Sequence, residues 1–305
     1  MTTRSMEGKV VVITGAGRGI GREIALLAAQ HGAKVIVNDL GTAPDGEGSD
    51  ASPAEQVAAE INESGGTACA NIDDVSHPDS GGRMVEQALD VYGRLDCVVN
   101  NAGILRDRMF HRMSSDDFES VVKVHLLGSF YLSRAAATIF REQESGSFVH
   151  FTSASGLVGN FGQANYAAAK MGIVGLSKSI ALDMSRYKVR SNCVCPFAWS
   201  RLIGMIPTET EAERQRVDRI KAMSAEKIAP LCIFLGSDLS RDVTGQIFVV
   251  RKNEIFLMSQ PRPVRSVHRS EGWTVETIHD HMLPLFKASF YPLDRSADVF
   301  CWDPM

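Results

Sequence analysis

The six cysteines (Cys69, Cys97, Cys193, Cys195, Cys232, Cys301) include no CxxC pair, and four of them fall in or beside apolar runs. That spacing supports neither a disulfide framework nor a zinc site, so reduced thiols and no bound metal are expected. Long apolar runs are missing too: none approaches the roughly 20 residues that cross a bilayer. The N-terminus MTTRSMEGKV has no apolar signal core, so the expectation is a cytoplasmic protein without membrane partners. Charge of one sign is also scarce, since 32 Lys and Arg against 36 Asp and Glu leave a net charge near −4. No basic footprint for nucleic acid results. There is no internal repeat and no low-complexity tract. What is present is ordinary globular composition, 44% hydrophobic over 305 residues, enough to bury the core of one large domain or two small ones.

Short β-branched runs alternate with helical patterns from the start, the mark of a doubly wound parallel α/β sheet with helices on both faces. Strands are expected near residues 9–14, 34–38, 67–71, 95–99, 147–152, 189–195 and 246–250. Helices are expected near 19–31, 53–63, 79–92, 115–141, 164–186 and 224–236. Seven strands in one sheet make a single domain over residues 7–250, followed by an extension, 251–305, of unassigned role. Two segments break the rhythm. Gly41 to Ser52 reads as a polar, flexible loop. Residues 196–223, with Arg201, Leu202 and Ile203 near their start, read as a substrate lid or as a surface excursion. The extension holds a strand-like run from Glu254, the basic residues Arg262, Arg265, His268 and Arg269, and a helix from about Thr274.

The first strand runs into Thr14-Gly15-Ala16-Gly17-Arg18-Gly19-Ile20-Gly21 and then a helix. Gly15 permits a tight turn, Gly19 lets the backbone approach a pyrophosphate, and Gly21 packs helix against strand. Arg18 and Ile20 belong to the same turn. Asp39 ends the second strand, where a carboxylate accepts bonds from ribose hydroxyls and repels a 2′-phosphate, which predicts NAD over NADP. Arg18 is the contrary sign, because a guanidinium in this turn can pair with a 2′-phosphate. Asp74 and Val75 follow the third strand and are placed to bracket adenine. Asn101, Ala102 and Gly103 follow the fourth and are placed to line the cofactor, although ordinary turn chemistry would use the same residue types.

Tyr166 and Lys170 share one helix face at i,i+4. An ammonium beside a phenol favours phenolate and lowers the tyrosine pKa toward working pH, as general acid–base chemistry needs. Ser153 follows the apolar run FVHFT, where a strand tip can set its hydroxyl beside the phenol. The bland alternative is a solvated Tyr–Lys pair.

Together TGAGRGIG, NNAG and the Ser153, Tyr166, Lys170 set make residues 7–250 resemble the short-chain dehydrogenase/reductase family. The resemblance implies a Rossmann-type fold. It also implies Tyr166 as acid and base, Lys170 lowering its pKa and holding the nicotinamide ribose, and Ser153 orienting the substrate oxygen. NDLG (38–41), NNAGILRDR (100–108), VHLLGSF (124–130) and SASGLVGNFGQANYAAAK (153–170) are similar to the (3R)-hydroxyacyl-CoA dehydrogenase subgroup, which includes the dehydrogenase unit of the peroxisomal multifunctional enzyme and bacterial single-domain relatives. That subgroup oxidises (3R)-3-hydroxyacyl-CoA thioesters with NAD, and some relatives act on steroids. Alternatives left open are a hydroxysteroid dehydrogenase, a ketoacyl reductase, whose usual NADP preference conflicts with Asp39, and a non-catalytic NAD-binding scaffold.

Two positions depart from the family pattern. His125 stands where many members carry a catalytic asparagine, and it either holds a relay water or packs the helix. Pro196, expected from the resemblance to bind the cofactor, precedes Phe197, with Trp199 nearby, where Pro-Gly is usual, which implies an altered cofactor-proximal loop and a bulkier aromatic pocket. Arg106, Arg108 and Arg112 either meet the anionic groups of coenzyme A or form a solvated face. Small-residue faces around helices 115–141 and 164–186 lead us to expect a homodimer or homotetramer.

Overall fold

The computed structural model describes residues 4–198 and 223–304. Its strands are β1 (Val10–Thr14), β2 (Lys34–Asn38), β3 (Thr67–Asn71), β4 (Cys97–Asn100), β5 (Gly146–Phe151), β6 (Val189–Phe197), β7 (Ile247–Arg251) and β8 (Glu254–Leu257). They lie in one sheet in the order β3-β2-β1-β4-β5-β6-β7-β8. Each strand up to β7 pairs in parallel with its neighbours. Alternate residues of β1 feed two cores. Val11 and Ile13 join the helices α1 (Gly19–Gln30), α2 (Ser52–Glu63) and α8 (Ala229–Gly236) on one face. Val10 and Val12 join α3 (Ser80–Tyr92) and α5 (Gly128–Gln143) on the other. A strand covered on both faces must be apolar at every position, which is why VVVIT reads as a continuous run.

The doubly wound α/β reading holds, with three differences. The sheet has eight strands, and β8 is antiparallel to β7, with Arg251 opposite Glu254. Only Lys252 and Asn253 separate the two, and a parallel crossover needs a dozen residues or more; Lys252 turns the chain at φ 55°. The expected helix 115–141 is divided into α4 (Ser115–Val122) and α5 by a π-helical turn, Lys123–Leu127, that contains His125. The helix expected at 224–236 opens as a 3₁₀ turn, Ala225–Lys227, before α8. A four-residue helix, α6 (Ala154–Leu157), and a 20-residue helix, α7 (Ala164–Asp183), complete the site region.

Trp199, Arg201, Leu202 and Ile203, and with them most of the expected insertion, lie outside the described residues. Among the described residues no helix is long and apolar enough to cross a membrane. Nor do His, Cys, Asp and Glu side chains there gather into a metal-binding group. All six cysteines are free, with Cys97, Cys193, Cys195 and Cys232 buried.

The last residues of the chain return to the sheet. Ser296 donates its N–H and its hydroxyl to the Gly159 carbonyl (2.9 and 3.0 Å). Phe300 packs on Phe197 and Phe256 with ring centroids 4.9 and 5.5 Å apart. Buried Arg251 lies 5.1 Å from the Trp302 ring centre and donates to the Trp302 carbonyl, while the indole N–H donates to Glu254 (2.8 Å). Charge-assisted contacts of this kind contribute about 1.5–3 kcal/mol each where water is excluded. Arg251→Ala is therefore expected to release residues 294–304, seen as faster amide exchange there with exchange across β1 to β6 unchanged. Equal protection in both proteins would show that the aromatic packing alone holds the segment.

Candidate active site

The site begins where β1 and β4 end side by side. Thr14 Oγ1 accepts the N–H groups of Asn101 and Ala102 (both 3.1 Å), and the Asn101 side chain donates back to the carbonyls of Thr14 and Gly15 (both 3.0 Å). The loops touch so closely that a Cβ on Gly15 would sit 2.8 Å from the Ala102 Cα, and one on Gly21 would run into the Gly15 carbonyl. Gly15 (φ 63°) and Gly19 (φ 53°) also take a left-handed conformation that L side chains resist. The backbone is thereby bared over a cavity of about 760 Å³.

Gly15, Arg18, Gly19, Ile20, Asp39, Asp74, Val75, Asn101, Ala102 and Gly103 all line that cavity. The first turn of α1 opens into it, and orphan N–H groups there suit a pyrophosphate. Asp39 accepts the N–H of Gly17 (2.8 Å) and of Gly41 (2.7 Å), one on each oxygen, and a carboxylate keeps further lone pairs for ribose hydroxyls. Arg18 points to the Thr42 carbonyl (3.4 Å). Asp74 is partly engaged by the Ser76 N–H (2.8 Å). Asn101 lines the cavity at the expected place, and its side-chain amide also joins the two loops. The glycine cradle, helix start and carboxylate together fit a nicotinamide dinucleotide.

The loop after β2 is packed, where its composition predicts flexibility. Arg106 donates to the Asp45 carbonyl (3.0 Å), Glu47 (3.0 Å) and Asp116 (2.6 Å), and Leu105 N–H bonds the Pro44 carbonyl (3.1 Å). Thr42, Ala43, Pro44 and Gly46 become one wall of the cavity. These bonds also remove Arg106 from the cations available to coenzyme A.

Ser153, Tyr166, Lys170 and Pro196 are not part of that lining. One contact between the two regions is His125. Its Nε2 lies 2.8 Å from the Ile104 carbonyl and 3.1 Å from the Ile104 N–H, and its ring stands edge-on to Tyr166 at 5.2 Å. Gly103 is needed there, because a Cβ would strike the imidazole. The buried Nδ1 finds no hydrogen-bond partner among the described residues. Burial and the nearby Lys170 charge hold this histidine well below its usual pKa, hence neutral.

Ser153 follows β5 and caps α6, its Oγ accepting the Ser155 N–H (3.2 Å), and its hydroxyl is near enough to the Tyr166 phenol to favour the phenolate. The Lys170 ammonium is buried and donates to the Phe151 carbonyl (2.7 Å), 5.5 Å from the Tyr166 ring centre. All three side chains therefore meet. The expected electrostatics do not follow: burial pushes the phenol up to about 12, only partly offset by Ser153, and pushes Lys170 down to about 7. A dry pocket favours the neutral form of both groups, and the ammonium is aimed at a carbonyl. Sequence reasoning also missed Asn165. This fully buried residue accepts the Tyr166 N–H (2.8 Å) and donates to the carbonyls of Arg106 and Asp117 (both 2.9 Å), tying α7 to the segment after β4. Its one signal was a helix-start asparagine directly before the tyrosine. Pro196 pairs with Val250 at the end of β6, and Phe197 after it faces Phe300.

The family model for short chain dehydrogenases matches residues 9–214. A short-chain type dehydrogenase/reductase of Mycobacterium tuberculosis is 43% identical over 246 residues, covering 80% of this chain and 82% of that protein. Hydroxyacyl-CoA dehydrogenase ChsB1 of the same organism is 38% identical over 272 residues (86% and 83%). Peroxisomal multifunctional enzyme type 2 of Mus musculus is 42% identical over 277 residues, 90% of this chain but 36% of the mouse protein. This chain thus corresponds to about a third of that enzyme. A crystal structure of a short chain dehydrogenase from Mycobacterium avium superposes with TM-score 0.81 at 35% identity, over 94% of this chain and 97% of that one.

A lysine that ionises near 10.4 unfolded and about 7 folded binds fewer protons in the native state, so its contribution to stability falls as pH drops from about 10 to 7. Lys170→Met removes that cost while filling similar volume. Its stability relative to wild type, from denaturant unfolding at pH 6, 8 and 10, is expected to be highest at pH 6 and to decline toward pH 10. A gain that grew with pH would show that the native site stabilises the ammonium.

Proposed function

Because the chain belongs to the short-chain dehydrogenase family, we propose that it is an NAD-dependent oxidoreductase interconverting (3R)-3-hydroxyacyl-CoA and 3-ketoacyl-CoA thioesters. The observation that carries the reaction class is the meeting of Ser153, Tyr166 and Lys170 beside a glycine-walled dinucleotide cavity. Support for the substrate comes from the similarity to proteins named for hydroxyacyl-CoA dehydrogenation and peroxisomal multifunction. Asp39, facing the cavity at the end of β2, supports NAD over NADP.

Bound NAD supplies the hydride acceptor and a positively charged nicotinamide ring. Ser153 donates a hydrogen bond to the substrate oxygen, and Tyr166, as its phenolate, takes the hydroxyl proton during oxidation and becomes the neutral phenol. Lys170 holds positive charge near the phenol in the protonated fraction and anchors α7 to Phe151. His125, neutral and edge-on to the phenol, orients the ring. A hydroxysteroid substrate is the second reading, favoured by the aromatic surface of Phe197 and Phe300. The same proposal includes a homo-oligomer formed through α5 and α7, where Phe130 and Met171 are exposed.

With 3-hydroxyacyl-CoA and NAD, NADH formation is expected, and Tyr166→Phe should reduce kcat by about 10²–10⁴-fold, the range for losing a general base. Turnover that survives in this variant would rule out the assigned proton acceptor. kcat/KM should favour NAD over NADP by at least about tenfold, roughly 1.4 kcal/mol; an NADP preference would shift the cofactor reading to Arg18. Oxidation of hydroxysteroids with no acyl-CoA turnover would favour the second reading, and binding of NAD with no alcohol oxidised would indicate a scaffold.

A further inference from the structure

The segment that follows Arg106 leaves cations and aromatic rings together in solvent. Arg108 is fixed by its N–H to the Gly162 carbonyl (2.8 Å), and its guanidinium donates to the Asp107 carbonyl (3.2 Å). It also lies close enough to Asp117 to help hold that carboxyl below its usual pKa, behind the Ser114 bonds. His111 and Arg112, on the 3₁₀ turn Phe110–Arg112, are exposed and have no carboxylate partner among the described residues. Beside them Phe110 is 78% exposed and Phe161 69%, an arrangement that solvation alone disfavours. The Arg295 guanidinium lies 5.8 Å from the Phe161 ring centre, but Asp298 neutralises it. It adds no free charge.

This patch stands at the rim of the reacting groups. Gln163, three residues before Tyr166, donates to Asp107 (2.8 Å) and accepts the hydroxyl of Ser155 (2.7 Å), two residues after Ser153. A thioester held at Ser153 and Tyr166 must send its carrier outward, and that carrier ends in phosphates and an adenine. Guanidinium groups match phosphates in geometry and charge, and exposed phenyl rings offer faces on which a base stacks.

We propose that Arg108, Phe110, His111, Arg112 and Phe161 form the subsite for the phosphorylated, adenine-bearing end of a coenzyme A thioester. The assignment rests on the acyl-CoA reading of the active site, and it divides the three arginines after β4. Arg106 holds the cofactor loop, while Arg108 and Arg112 meet the substrate carrier.

The test compares R108E/R112E with wild type on two substrates with the same 3-hydroxyacyl group, one on coenzyme A and one on N-acetylcysteamine, which lacks phosphates and adenine. KM for the coenzyme A thioester should rise by at least about tenfold, with kcat and both constants for the N-acetylcysteamine thioester unchanged. Phe110→Ala, which keeps the charge, should shift KM in the same selective way. Equal effects on both thioesters, or none on either, would overturn the subsite. Calorimetry with free coenzyme A on the NAD-loaded enzyme separates this assignment from the dehydrogenase reading. Binding to wild type that R108E/R112E loses supports the subsite even where no alcohol is oxidised, and absence of binding to wild type overturns it while leaving the dehydrogenase reading intact.

Discussion

Two parallel strands, β1 and β4, end level with each other, and their loops have to pass at a separation that ordinary side chains forbid. The sheet order turns at this place, β2 lying on one side of β1 and β4 on the other, so the loops diverge toward opposite faces and open a crevice. Thr14 and Asn101 close the contact with four hydrogen bonds, and glycine at positions 15 and 21 makes room for it. Everything else at the sheet edge takes its place from that junction. Gly103 and Ile104 continue from it to meet His125, whose ring touches Tyr166. Dinucleotide cradle and Tyr166 are thus parts of one connected arrangement.

The second constraint is dryness. Lys170 is buried against Phe151, and His125 and His150 are buried as well, so that all three are driven toward their neutral forms, with the lysine charge adding to the effect on both histidines. A buried ammonium with one carbonyl partner is costly to the fold, since desolvation exceeds what a single hydrogen bond returns. Such a cost is retained at a site where the charge acts on a bound molecule. Burial raises the phenol, and any positive charge brought close to it in this low-dielectric space would favour phenolate. Tyr166 and Lys170 share a helix face as their spacing predicts, but burial outweighs the effect of the ammonium on the phenol.

Much of this was legible in the sequence where the cause is local. VVVIT followed by GAGRGIG announces a buried strand, a turn and a helix, and Asp39 falls where the second strand must end. Helical spacing likewise put Tyr166 and Lys170 on one face. The failures share a different cause. Gly41 to Ser52 reads as flexible because its residues are polar, yet its order comes from Arg106, about sixty residues downstream, and no local pattern reports such a partner. Asn101 falls at the cavity where its position places it, but the bond of its side chain to the Thr14 carbonyl has no local sequence signal. The π-helical turn at Lys123–Leu127 is equally silent in the sequence, since it leaves the apolar periodicity of the long helix almost intact. Burial, which moves Tyr166 and Lys170 in opposite directions, is a property of the assembled layers.

The end of β6, at Phe197, is held differently from the junction of β1 and β4. Where glycine would leave the end of β6 open, a phenyl ring stands and meets Phe300 from the last residues of the chain, and Phe256 of β8 completes the group. These contacts are apolar and non-directional, in contrast to the directed hydrogen bonds of the glycine turn. Changes of size at Phe197 or Phe300 alter the shape of this surface without loading the Thr14–Asn101 junction, which lies on other strands. The loop junction and the end of β6 accordingly rest on physically separate interactions: the first on polar contacts that tolerate little displacement, the second on aromatic packing anchored by Arg251 and Trp302.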